Sequence, residues 1–296
     1  MKLKTLFDGN YYKIKVDDLD KHLIVIQGVN RKDKSCFVQY AFEGDEKSTF
    51  HSFSFSDFQH KENVTYIDKN IFAPHLIYLD LPKLKLSLKL LTEHQKNELK
   101  PINTMGLLKK IPFIQCKHEI ISLAENCELS INNYSNINTK SKGMIYAERN
   151  WGYSFPSQYL WLHCYDYFEG SPVEFQFAAA KPRFLGIKPK VHLGILNYKN
   201  CTYNFGILNN SKFKIENYDS ENSSIRFLLK NKTCSLTCSL SKGLTTQFIS
   251  PNKNGMKGEI GESLNANIAL NFKSNTNSFN FTSQSASAEL INLKDF

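Results

Sequence analysis

The sequence predicts an all-β protein made of two antiparallel barrels or sandwiches in tandem, with few short helices. Three observations lead there. Apolar residues recur at every second position in stretch after stretch, which is the period of a strand with one buried face. Helical periodicity is scarce. The chain has 296 residues, and one barrel of about eight strands uses roughly 120–150, so the length accommodates two.

In chain order, residues 22–27 and 36–42 are continuous apolar or aromatic runs, closed by the turn signals Gly28-Val29-Asn30 and Gly44-Asp45. Residues 56–63 suit a helical turn capped by Ser56 or Asp57. Residues 83–90 alternate Lys or Ser with Leu, giving a strand with one apolar face and one largely basic face. The Asn-rich run at 132–138 marks a seam, dividing the chain into an N-terminal β domain, residues 1–143, and a C-terminal one, residues 144–296. Beyond it the alternation returns at Phe213 and Ile215, at Ile225, Phe227 and Leu229, at Ile268, Leu270 and Phe272, and at Phe279 and Phe281. Cys234 and Cys238 sit in one such strand. Four residues of strand separate them by ~13 Å, beyond the ~7 Å that a disulfide spans, so both read as small core residues.

Composition narrows the function classes. A hydrophobic share of 41% with 22% charged residues fits a globular chain and opposes disorder. No window approaches 18 consecutive apolar residues, and the start has lysines but no apolar h-region. Seven scattered cysteines without a C-x-x-C pair favour a reducing compartment. The expected location is therefore cytoplasmic, and the net charge of +9 leaves peripheral membrane contact as a minority reading beside a generally basic, solvated surface. No pattern for nucleic-acid binding is present. Phosphate loops, nucleophile elbows, H-E-x-x-H zinc helices and dinucleotide fingerprints are also missing. Cys116 and His118 share a strand side while His163 and Cys164 point apart, which gives no usual zinc spacing. The expected cofactors and metals are none.

The stretch at 143–170 concentrates aromatic residues. It holds both tryptophans, Trp151 and Trp161, with Tyr146, Tyr153, Phe155, Tyr159, Tyr165, Tyr167 and Phe168. Most such rings build core. Glu148 within it is either paired with Arg149 or another base, or held in an apolar wall with a raised pKa, and only the second state donates a proton at neutral pH. His118 is read as a core or cavity-wall histidine or as a polar group facing a ligand hydroxyl. Glu262 is read as a loop carboxylate paired with Lys257 or another base, or as a second carboxyl facing the same cavity.

Glu148-Arg149-Asn150-Trp151-Gly152, then Phe155-Pro156, Trp161 and Cys164, resemble a signature of the tocopherol cyclase family. Met105-Gly106, Ile111-Pro112-Phe113, Cys116, His118 and Ser122 are similar to a second family segment. Pro251, Gly255-Met256-Lys257 and Ile260-Gly261-Glu262-Ser263 are similar to a third. The likeness is to the shorter, bacterial-type members. It implies two lipocalin-like β domains and a cofactor-independent ring closure of a prenylated quinol to a chromanol in an apolar cavity. In that scheme Glu148 donates the proton, with Glu262 as substitute acid. Trp151, Tyr153 and Trp161 face the cation, and Asn150 and His118 orient the quinol. Cys116, Phe155 and His163 complete the binding residues. The implied partner is a hydrophobic small molecule such as a prenylquinol, isoprenoid or lipid, and the alternative is a non-catalytic carrier of such a ligand. At His163 and Tyr165, where the family usually has Gln and Asn, and at Gln115, where an acid is common, the chain departs from the pattern at the polar end of the implied pocket.

Overall fold

Strict alternation of buried and exposed residues in Leu84–Leu90 shows how the chain is built: one side of each strand is apolar and turns inward. The computed structural model describes residues 5–91, 101–110, 114–133, 137–184 and 186–296, apart from the side chains of 107 and 108. Ile111-Pro112-Phe113 and the middle of the Asn-rich run, 134–136, lie outside the described residues.

The first sheet comprises β1 (Phe7–Val16), β2 (Lys21–Asn30), β3 (Ser35–Phe42), β4 (Thr49–Ser54), β5 (Phe58–Lys61), β6 (Val64–Ile67), β7 (Asn70–Ala73), β8 (Leu76–Leu81), β9 (Leu84–Leu90), β10 (Cys116–Asn133) and β11 (Ile137–Gly152). Its order is β4-β3-β2-β1-β11-β10-β9-β8-β7-β6-β5. The second comprises β12 (Tyr159–Phe168), β13 (Ser171–Ala180), β14 (Val191–Tyr198), β15 (Cys201–Gly206), β16 (Lys212–Asp219), β17 (Ser224–Lys230), β18 (Cys234–Ser241), β19 (Thr245–Asn252), β20 (Gly255–Ser274) and β21 (Ser278–Ile291). Its order is β15-β14-β13-β12-β21-β20-β18-β17-β16, with β19 on β20. Each sheet follows one plan, a four-stranded meander whose first strand pairs antiparallel with the last strand of a longer meander. In the first sheet that closure is the β1–β11 ladder. Gly143 permits it, since a Cβ there would lie 2.0 Å from the Lys15 carbonyl oxygen.

The chain divides into two compact units. The first is Met1–Ile102, His118–Tyr153 and Pro251–Gly258; the second is Asn103–Lys117, Ser154–Ser250 and Glu259–Phe296. The seam expected after residue 143 falls inside β11. The described helices are short 3₁₀ turns. The turn expected at 56–63 is Phe55–Asp57, capped by Ser54 with Asp57 closing a capping box, and the chain is already a strand at Phe58.

Each sheet curls around its own apolar interior. In the first unit Tyr12 of β1 stacks on Phe72 of β7 at 6.0 Å, among Ile14, Val25, Val38, Leu86, Ile145 and Ala147. In the second, Phe177 of β13 stacks on Phe227 of β17 at 5.0 Å and Tyr198 meets Phe279 at 4.4 Å. Rings from non-adjacent strands thus fill the middle, each contributing about 1.5–3 kcal/mol by burial. Cys234 and Cys238 are free thiols in that second interior, as their alternating strand predicts.

Candidate functional site

Near the β1–β11 closure the strands are buried on both faces, so the face turned away from the interior carries side chains that solvent does not reach. On β11 the odd positions Ile145 and Ala147 enter the core, and the even positions Tyr146, Glu148 and Asn150 occupy the reverse face. Residues two apart on a strand stand about 7 Å apart, which lets the outer two reach back to the middle one. Tyr146 Oη donates to Glu148 Oε2 at 2.5 Å, and Asn150 Nδ2 donates to Oε1 at 2.7 Å. His118, on β10, brings Nε2 to 2.8 Å from Oε2. Tyr11, opposite Glu148 in the ladder, sets its ring edge-on to Tyr146 at 6.3 Å.

Glu148 is only 4% exposed. Burial pushes its pKa up, but the His118 charge and the hydrogen bonds from His118, Tyr146 and Asn150 outweigh it and hold the carboxyl below the usual carboxylate range. Of the two states the sequence leaves open for Glu148, the geometry is that of pairing with a base, His118, with donors on both carboxylate oxygens. A buried carboxylate and imidazole in contact share protons as one unit.

Arg149 points the other way, as a strand neighbour must. It grips Asp8 with two hydrogen bonds, Nε to Oδ1 at 2.8 Å and Nη2 to Oδ2 at 2.7 Å, and lies 5.0 Å over the Trp151 ring. Trp151 consequently sits on the opposite strand face from Glu148, under a guanidinium. Tyr153 follows β11 and is half-buried.

The other expected site residues belong to the second unit. Phe155 lies edge-on to Tyr159 at 6.2 Å, and its carbonyl accepts from Gln115 Nε2 at 3.0 Å. Cys116 is half-buried, its thiol 3.7 Å from the Lys117 carbonyl. On β12 the even positions Leu160, Leu162 and Cys164 enter the core, leaving Tyr159, Trp161 and His163 buried on the reverse face. Tyr159 donates its phenol to Glu289; burial and that carboxylate push its pKa well up. Glu262 is buried beside Gly261, whose carbonyl accepts from Lys242 Nζ at 2.8 Å. Burial draws the Lys242 pKa down, against the pull of Glu289 and Glu262.

The sequence reading missed the row running through His163. Its ladder partners are Gln176 on β13 and Ser287 on β21, both 0% exposed. Among the described residues, neither the Gln176 amide oxygen and nitrogen nor the Ser287 hydroxyl has a hydrogen-bond partner. A buried polar group without a partner is a net cost to the fold. Three or more His, Cys, Asp or Glu side chains grouped as metal ligands do not occur among the described residues, and no described helix is long and apolar enough to cross a membrane.

The family model described as tocopherol cyclase-like matches residues 83–291. No curated protein matches the chain. Among solved structures, CghA is similar at TM-score 0.63 and 8% identity over 99% of this chain and 89% of that one. A protein designated AttH from Nitrosomonas europaea is similar at 0.54 and 10%, over 96% and 92%. Kievitone hydratase from Nectria haematococca is similar at 0.50 and 9%, over 99% and 90%. Identities this low carry the fold alone.

Proposed function

This chain belongs to the tocopherol cyclase-like family, and we propose that it is a cofactor-independent cyclase acting on a prenylated phenol, with the His118–Glu148 pair as its acid–base unit. In the reaction the phenol O–H breaks, an O–C bond forms at the more substituted alkene carbon and a proton is added to the other. The product is an isomer of the substrate, and no electrons are gained or lost. The observation that carries the reading is the buried Glu148–His118 contact at 2.8 Å, with Tyr146 and Asn150 fixing the carboxylate. The pair lends one proton to the alkene and recovers one from the phenol, so its protonation is restored each turn. Tyr11 and Tyr146 add ring faces beside the carboxylate, suited to a developing cation.

The test is Glu148→Gln with a prenylated hydroquinone, following chromanol by mass spectrometry. Losing the unit should slow turnover about 10²–10⁴-fold; turnover within a few-fold of wild type removes Glu148 from the mechanism. The saturation of Glu148 by donors favours a second reading, a non-catalytic carrier of a hydrophobic lipid or isoprenoid. Wild-type protein that retains the hydroquinone unchanged through prolonged incubation supports the carrier and overturns the cyclase.

A further inference from the structure

We propose that the reverse face of the second sheet holds a binding site for an uncharged head group presenting an N–H or O–H donor beside a C=O acceptor, recognised by Gln176 and Ser287. The proposal goes beyond the cyclase reading and needs no proton transfer at Glu148. Among the described residues, Gln176 is the one carboxamide whose nitrogen and oxygen are both buried and both unfilled. A carboxamide is matched on both atoms at once only by a group that offers an acceptor to its N–H and a donor to its oxygen. A carboxylate lacks the donor and an ammonium lacks the acceptor.

The surroundings agree. Ser287 lies two strands away across His163 in the same ladder row, with its hydroxyl also unfilled. Beside the amide on the same face stand Ile195, its partner on β14, and Ala178, its next neighbour along β13, paired with Trp161. The head group is thus flanked by apolar and ring surface on the side of Ile195, Ala178 and Trp161, and by His163 and Glu174 on the other. A site built from unfilled polar atoms rejects a ligand that leaves them unfilled more strongly than it rejects a change in apolar shape.

The experiment compares two neutral probes with the same tail, decanamide and N,N-dimethyldecanamide, the second lacking the donor. They are titrated calorimetrically into the purified full chain and into Gln176→Leu and Ser287→Ala. Wild type should prefer decanamide by about tenfold. Gln176→Leu should erase that preference, and Ser287→Ala should weaken it. Free Gln176→Leu should melt at or above the wild-type temperature, because an apolar side chain replaces an unpaired amide. Equal binding of the two probes by wild type, a preference surviving in Gln176→Leu, or a melting point lowered by several degrees in that variant would each overturn the site. None of these readouts involves turnover, so failure here leaves the acid–base reading standing.

Discussion

The two units share a strand plan and a filled apolar interior, yet their reverse faces treat buried polarity in opposite ways. Around Glu148 the hydrogen bonds are made, with His118, Tyr146 and Asn150 all donating to its carboxylate. Around Gln176 they are left open. A closed cluster holds a charge ready for chemistry without rearrangement, whereas an open row gains its bonds only when something else supplies them. The same fold can thus keep a reactive group in one unit and a recognition group in the other.

The largest expected effect breaks the closed cluster. His118→Leu leaves Glu148 buried without the imidazole that meets it at 2.8 Å and should destabilise the protein by about 3–5 kcal/mol, read from urea unfolding at neutral pH. A loss under about 1 kcal/mol would mean that the carboxyl is not held ionised by His118.

Acid should produce a smaller effect on the same sheet. The His22 ring lies 2.9 Å from Glu43, but burial, then the Lys13 charge, pushes its pKa down to about 4 from 6.5. The unfolded chain takes up a proton near 6.5 that the folded chain refuses until about 4, so this contribution is complete above pH 6.5 and lost as pH falls towards 4. The shift corresponds to roughly 3 kcal/mol. Unfolding free energy measured across that range should fall with acid in wild type and fall less in His22→Gln; identical slopes would refute the assignment. Smallest of all is Gln176→Leu, whose stability should change by no more than about 1 kcal/mol and in the stabilising direction. That sign, set against His118→Leu, is the sharpest form of the contrast between the two faces.

Much of the fold and part of the site are legible in the chain. Alternation at 83–90 and at 225–229 marks strands where the structure has them, and Glu148, Asn150 and His118, all readable as site candidates, are brought together. Period two also separates Glu148 from Arg149 and from Trp151, one and three positions away and so on the other face; grouping Trp151 with Glu148 by proximity in sequence overlooks that rule. Tyr146, two positions before Glu148, is open to the same argument. Gln176 and Ser287 are not. Their places on either side of His163 depend on the β12–β13 and β12–β21 registers, which pair residues 13 and 124 positions away from it, and no local pattern encodes that. That the base paired with Glu148 is His118 is not legible locally, because the contact comes from the neighbouring strand β10.

In this structure Glu148 is an ionised carboxylate in contact with His118. Infrared difference spectroscopy between wild type and Glu148→Gln at neutral pH tests it most directly. The substitution should remove a carboxylate stretching band; removal of a protonated-carboxyl carbonyl band instead would show that Glu148 is neutral.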